Sequence, residues 1–394
     1  MKVKLGKVIQ LNPREQISKG KVAKKIAMDN LEPYTREVSG YDLDIYKGGT
    51  KFRNKDTLLA RITPCLENGK TAYVNILDDN EVAFGSTEYF VLRAKKELID
   101  PLYLYYLSIS RKFRTVAIKS MTGTSGRQRV QKDSILNYEF DLPQMEEQKR
   151  IAKMIGCLDD KKVLNDKIND NLTNQLHTIS DNYFSYFNFN DGSIPQNWTY
   201  KNLTDIAEIT SGYSYKGKEL VDSDLGMATI KNFARTGGFQ INGYKSIIPS
   251  KNVKQSQYAS LFDMLIAHTD LTQNADIIGN AEPVLTTSRF KKIIYSMDIV
   301  KVIPKQNKIS KWLLDLILMS TRVKAHCLGY VNGTTVLHLS KKALKEFEIP
   351  LPNDPEELSG ITRIARNYLL MMSENMQENE KLIELKDQLL NKYF

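Results

Sequence analysis

At 394 residues, with 41% hydrophobic residues and a formal charge of +10, the chain is long enough for two or three domains with real cores, and too apolar to be a disordered tract. The basic balance points toward polyanions such as nucleic acid or an anionic membrane surface. No apolar run approaches the roughly 18 residues that span a bilayer, nothing resembles a signal peptide, and the three Cys and four His lack disulfide or metal spacing, so a cytoplasmic protein without membrane, metal or cofactor is expected.

Residues 1–145 alternate short β-rich runs with Gly, Asn and Asp breaks. Residues 70–76 and 88–93 read as strands, and 101–107 (PLYLYYL) as a helix. The alternating run Tyr138-Glu139-Phe140 reaches Pro143 and then a Pro-free stretch, 151–184, broken only by Gly156. Ile151, Leu158, Asn165, Leu172 and Ile179 recur every seven residues, with Ile155, Leu176 and Tyr183 in a row four residues on. That is the narrow seam of a long helix. Residues 187–197 (FNFNDGSIPQN) read as a linker, 245–248 and 293–304 as strands, and 311–319 as a core helix. Phe347-Glu348-Ile349 then repeats the alternating strand before Pro352. A second long helix follows over 361–394, its seam Ile361, Tyr368, Asn375, Leu382 and Leu389, with Ala365, Met372 and Tyr393 beside it.

The second helix repeats the first at a constant offset of 210 (361 − 151). Ile151, Asn165, Asn169, Leu172, Tyr183 and Phe184 return as Ile361, Asn375, Asn379, Leu382, Tyr393 and Phe394. Upstream, Asp56-Thr57-Leu58-Leu59-Ala60 matches Asp263-Met264-Leu265-Ile266-Ala267, and Leu5-Gly6-Lys7-Val8 corresponds loosely to Leu203-Thr204-Asp205-Ile206. The chain therefore reads domain, helix, domain, helix over 1–145, 146–186, 187–352 and 353–394. The expected fold class is α+β, two similar globular domains with curved mixed or antiparallel sheets, joined by a long antiparallel two-helix coiled coil. Each helix would be roughly 50 Å long at 1.5 Å per residue. Paired antiparallel, Asn165 and Asn169 would meet Asn375 and Asn379 and fix the register. The alternative is that each helix packs on its own domain with these Asn solvated.

Each half carries loops suited to phosphates and base edges. In the first half these are Lys51, Arg53 and Lys55, then Arg61 through Lys70, and the run Lys119-Ser120-Met121-Thr122-Gly123-Thr124-Ser125-Gly126-Arg127-Gln128-Arg129. In that run two Gly free backbone N–H groups, hydroxyls flank them, and Arg and Gln can read G and A bidentately. In the second half the candidates are Tyr215, Lys216 and Lys218, then Asn232 and Arg235, then Asn332, Thr334 and Thr335, where aromatic and basic residues interleave. Tyr213 and Tyr215 read equally well as strand residues facing a core. Glu67-Asn68-Gly69-Lys70-Thr71 ends like a phosphate loop, but Pro64 stands where the first Gly belongs and β residues follow. Asn12-Pro13-Arg14-Glu15 lacks the second Pro and the aromatic of an amino-methyltransferase loop. With no nucleophile elbow, HExxH helix or cofactor-type Gly loop, a reader is expected rather than a catalyst.

The run Pro143-Gln144-Met145-Glu146-Glu147-Gln148-Lys149-Arg150-Ile151-Ala152, opening a long helix after an alternating strand, resembles the specificity (S) subunit of type I restriction-modification systems. The likeness extends over essentially the whole chain through the duplicated helix and the domain order, and includes 56–70 and 263–279. The second joint departs from it: 352–361 has no Gln-Lys-Arg and is one residue longer. The resemblance implies a non-catalytic reader of double-stranded DNA. It also implies docking to modification (methyltransferase) subunits, two copies expected, and through the complex to restriction/motor subunits. Each domain would read one half of a bipartite, asymmetric site while the helices set the gap. The rival readings are a self-sufficient DNA methyltransferase or nuclease, and a coiled-coil adaptor without DNA affinity.

Overall fold

A computed structural model describes residues 2–124 and 126–394. The chain divides into two compact units, one of Met1–Lys162 with Lys381–Phe394, the other Val163–Glu380. In the first unit the strand Lys2–Lys4 pairs antiparallel with Glu139–Asp141, and Leu5 donates its backbone N–H to the Tyr138 carbonyl at 2.8 Å. In the second, Trp198–Asn202 pairs antiparallel with Glu348–Pro352, and Leu203 donates to Phe347 at 2.9 Å. In each unit the first strand thus lies beside the strand that leads into a long helix.

Both units hold two four-stranded sheets in the same strand order. One sheet is wholly antiparallel: Ile9–Leu11, Tyr89–Ala94, Thr57–Ala60, Thr71–Tyr73 in the first unit, and Ala207–Ser211, Ile299–Pro304, Met264–Ala267, Ala281–Pro283 in the second. The other is mixed, with a parallel central pair. Its orders are Asp42–Ile45, Val22–Ile26, Ala83–Gly85, Thr50–Phe52 and Lys245–Ser246, Leu225–Ala228, Lys292–Tyr295, Tyr258–Ala259. The run 293–304, expected as one strand, is two. Ile299 donates to the Ser296 carbonyl at 3.0 Å, and that tight turn carries the chain from the mixed sheet to the antiparallel one. Strand-forming residues continue through it, so periodicity alone cannot locate the break.

The helix Pro101–Ile109 is capped by Asp100, whose carboxylate accepts from Leu102 and Tyr103 N–H at 3.0 and 2.9 Å. It buries Tyr103, Leu104, Tyr105, Tyr106 and Leu107, so nearly every side is core and the helix has no amphipathic stripe. Its counterpart in the second unit, Lys311–Leu318, buries Leu313 through Leu318, including Asp315. The Asp that precedes the matching central strands, buried in the first unit and half-buried in the second, has a basic partner in each. Asp56 takes Arg93 at 2.7 Å and Asp263 takes Lys301 at 3.4 Å, as a charge withdrawn from water requires.

The long helices are Met145–Phe184 and Ser359–Tyr393, the latter led in by the 3-10 turn Pro355–Leu358. In the first unit Ile151, Ala152 and Ile155 join a core with Leu104, Leu390 and Phe394, and the Phe394 ring lies 4.8 Å from that of Tyr103. Asp159, buried between them, accepts from Lys386 at 2.6 Å and from Tyr106 at 2.8 Å. In the second unit Leu172, Leu176 and Phe184 share a core with Ile361, Ala365, Leu369 and Met372. There Asn165 donates to Asn379 at 3.0 Å, and Asn375 donates to Asn169 at 2.8 Å. A step forward on one helix is a step back on the other, so the pair is antiparallel. The helices pair with each other and also pack into the units, and Asn165, Asn169 and Asn379 are buried rather than solvated.

Candidate nucleic-acid interface

Three loops converge in each unit, at matching places. The first follows the central strand of the antiparallel sheet and spans residues 61–70 or 268–279. Ala60 receives the strand back by donating to the Lys70 carbonyl at 3.2 Å, and Ala267 does so to Asn280 at 3.1 Å. The turn before that return needs a left-handed residue, supplied by Gly69 (φ 87°) and Gly279 (φ 78°). In the second unit Asp270 props the loop open, accepting from Thr272 N–H at 2.8 Å and Ile277 N–H at 3.0 Å. Burial pushes the Asp270 carboxyl up, yet these hydrogen bonds outweigh it and hold it below the ordinary aspartate value.

The second loop is a hairpin after the second short helix. In the first unit Thr122 and Arg129 exchange backbone hydrogen bonds at 3.0 and 2.9 Å, and Val130 ties the hairpin down by donating to Arg61 at 2.8 Å. Gly123, at φ 136°, sits where an added Cβ would come within 2.9 Å of the Arg127 carbonyl. In the second unit Val331–Asn332 pairs with Leu337–Leu339, which pairs in turn with Thr269–Asp270. The same tie recurs: Leu339 donates to the His268 carbonyl at 2.8 Å. Gln273 reaches from the first loop to the Thr334 carbonyl at 2.7 Å.

The third loop is a short turn closed by the bridges Leu31↔Val38 and Phe233↔Phe239. Asn30 and Asn232 anchor it alike, accepting from Ala27 N–H at 2.7 Å and Thr229 N–H at 2.9 Å. Tyr34 donates to the Gly69 carbonyl at 3.1 Å, and Asn280 donates to the Ala234 carbonyl at 3.4 Å, which ties this turn to the first loop in both units.

The sequence-predicted residues divide among these loops. Lys119, Thr124 and Arg127 are exposed and Gln128 is half-buried on the first hairpin or its base, while Ser125 lies outside the described residues. Asn332, Thr334 and Thr335 are exposed on the second hairpin, and Arg235 is exposed on the second unit's short turn, 4.0 Å from Asp276. Arg129 instead grips Glu88 at 2.6 Å, and that guanidinium holds the Glu88 carboxyl below its ordinary value. Arg61 lies over the Phe90 ring, 4.7 Å from its centroid, beside Glu88. Lys51 stands over Tyr46, and Lys55 is exposed. Arg53 is committed to Glu15 through two hydrogen bonds of 2.7 and 2.8 Å. Lys70 donates to the Met28 carbonyl at 2.9 Å with its side chain 18% exposed.

One prediction needs correcting. Asn232 is fully buried, its amide donating to the Gln240 carbonyl at 2.7 Å, so it builds the turn and presents nothing to a groove. Tyr215 is half-buried against the Tyr213 and Met227 cluster, while Lys216 and Lys218 are exposed on a corner built around Glu219. Hydrogen bonds from Ser250 and the Lys216 N–H hold the Glu219 carboxyl down to about 2. Sequence reasoning missed Tyr34, Arg114 and Gln273. For Tyr34 the one signal is the shared Asn30 and Asn232 ahead of the short turn, which marks the loop but not the residue at its tip; Arg114, on a helix, and Gln273, in the first loop, carry none.

The comparisons agree with the duplication. A family model described as Type I restriction modification DNA specificity domain matches residues 1–174 and again 195–384. The chain is similar to the Type I restriction enzyme MjaVIII specificity subunit of Methanocaldococcus jannaschii, 26% identical over 322 residues that cover 75% of this chain and 67% of that one. It is also similar to the Type I restriction enzyme EcoAI specificity subunit of Escherichia coli, 37% identical over 108 residues, or 27% of this chain and 18% of that one. Among solved structures, the S subunit of a type I restriction-modification system from M. genitalium matches at a TM-score of 0.52 with 15% identity, covering 100% of this chain and 96% of that one. That likeness speaks for the fold.

Proposed function

The chain belongs to the type I restriction modification DNA specificity family, and from that premise we propose that each unit reads one half of a bipartite, asymmetric DNA site through its three-loop cluster. One observation carries the reading. Both units build the same cluster with the same backbone ties, Val130 to Arg61 and Leu339 to His268 at 2.8 Å, yet load it with different side chains. The first hairpin offers Arg127 and Gln128, suited to G and A and to phosphate. The second offers Asn332, Thr334 and Thr335, which read by neutral hydrogen bonds. Unlike heads on one scaffold call for unlike half-sites.

Lys119, Lys55, Lys216, Lys218 and Arg235, exposed cations, supply salt-dependent affinity for phosphates. The chain itself is non-catalytic: methyl transfer belongs to modification subunits, two copies of which dock along the long helices, and DNA translocation and cleavage belong to restriction subunits. The helix pair sets the length of the unread gap.

Mapping methylated positions in DNA from cells that express the complete complex tests this. Two different half-motifs separated by unspecified bases are expected; a single palindromic motif overturns the proposal. Seven residues added to both helices lengthen each by roughly 10 Å, about three base-pair steps of 3.4 Å. The mapped gap should widen accordingly, and an unchanged gap rules out the spacer role. Methyl transfer or cleavage by the purified chain alone, given DNA, Mg²⁺ and S-adenosylmethionine, would show that it is an enzyme after all.

A further inference from the structure

Tyr34 is 63% exposed, yet it is not a loose surface residue. Its backbone sits at φ 59°, in the left-handed region, and its N–H is spent on the Gly69 carbonyl. The ring lies so close over Gly69 that a Cβ built there would come within 2.7 Å of a ring carbon. Arg114 stands 5.1 Å from the ring centroid and is itself fixed, donating to the carbonyls of Leu66 at 3.0 Å and Glu67 at 3.3 Å. With 63% of the residue still exposed, ring surface remains open to solvent. An aromatic ring held rigid at the tip of a loop loses little entropy when it binds a flat partner.

We propose that Tyr34 is a stacking platform for a nucleobase unstacked from the duplex within the half-site that the first unit reads. The inference rests on the proposed DNA-reading role of the three-loop cluster. Base faces are covered inside a duplex, so a ring can meet one only where the step is opened or kinked. The surroundings suit that work. Arg111, Lys112 and Lys119 are exposed on the same short helix as Arg114 and can hold the flanking phosphates of the distorted strand. Stacking on an aromatic ring accepts any base, so Tyr34 supplies affinity and distortion, and the hairpin supplies sequence. The matching turn of the second unit carries Ala234-Arg235-Thr236-Gly237-Gly238 and offers no ring, so the distortion belongs to the first half-site alone.

The test uses the assembled complex and a duplex carrying its methylated motif. Tyr34→Leu keeps much of the bulk but has no π face, whereas Tyr34→Phe keeps the ring. Tyr34→Leu should weaken binding roughly 10-fold with an unchanged salt slope, and Tyr34→Phe should bind like the parent. A single mismatch moved across the first half-site lowers the cost of unstacking. At one position it should tighten binding by the parent and by Tyr34→Phe, and leave Tyr34→Leu unaffected. If Tyr34→Leu binds like the parent and answers every mismatch as the parent does, while Arg127→Ala still weakens binding, the stacking role is wrong and the DNA-reading role stands. If Arg127→Ala also leaves binding unchanged, the DNA-reading role falls with it.

Discussion

Asn379 accepts a hydrogen bond from the amide of Asn165 at 3.0 Å and passes its own amide to Asp166 at 2.7 Å, inside a helix seam where Asn165 is fully buried. Replacing Asn379 by Leu removes one of the two acceptors of the buried Asn165 amide, leaving Glu378 at 2.6 Å, and takes the donor from Asp166, a cost of roughly 1–3 kcal/mol. The double change Asn165→Leu with Asn379→Leu should recover much of that loss, because two apolar groups then meet. Thermal melts of the two variants and the parent check this. With Asn165→Leu alone melted as well, a loss in the double variant equal to the sum of the two single losses would mean the Asn pair carries no coupling.

Glu282 predicts a pH dependence of stability. It is buried, with the Gly238 N–H donating to it at 2.6 Å, and burial pushes its carboxyl from 4.5 up to about 7. The unfolded chain releases the proton first as pH rises. The stabilisation is therefore complete below about 4.5, is lost between 4.5 and 7, and stays lost above. Glu282→Gln removes that slope, worth about 3 kcal/mol at most. Asp315, pushed by burial up to about 7 as well, keeps a second slope of the same sign. Urea titrations at pH 5 and pH 8 should show a smaller difference for Glu282→Gln than for the parent.

Two glycines at matching positions should resist substitution for the same reason. At Gly69 and Gly279 an Ala would occupy a left-handed conformation and bring its Cβ within 2.7 Å of the Tyr34 ring or 2.9 Å of Cys327. Each Ala should cost about 1–3 kcal/mol. Gly20, also left-handed at φ 85° but with nothing within 4 Å of its Cβ position, serves as the control, and its Ala variant should lose clearly less in a thermal melt.

Arg127 and Arg129, two residues apart, should behave differently. Arg127 is exposed, so Arg127→Ala should leave folding intact, weaken DNA binding, and lower the slope of log affinity against log salt by about 1. Arg129 is bound to Glu88, so Arg129→Ala should loosen the hairpin, and Glu88→Gln should reproduce part of that defect. Binding measured across a salt series separates the two.

How much of this was legible in the sequence follows from what repetition and periodicity can show. The duplicated helix, the Asp that opens the central strand in each half, and the strand before each Pro were all readable, because burial repeats the same residue types at the same spacing. The meeting of Asn165 with Asn379 followed from their place near the middle of the two repeated stretches, 151–184 and 361–394. The proposed reading surface was only half legible. Arg53, Lys70 and Arg129 look like phosphate ligands by type, but their partners Glu15, Met28 and Glu88 come from strands and turns far off in sequence. Asn232 and Arg235 stand three apart, and only the fold decides that one is buried and the other exposed. Tyr34 was invisible because its significance lies in Gly69 and Arg114, neither of them near it in the chain.

The pairing of Trp198–Asn202 with Glu348–Pro352 has an evolutionary corollary. The entry and exit of the second head lie side by side on one small ribbon, so a gene segment cut at those two places encodes a cassette whose two ends pair with each other while its core still packs on the flanking helices. Recombination there could trade one head for a foreign one in a single event, and give the lineage a new DNA target without renegotiating the seam that holds Asn165 and Asn169.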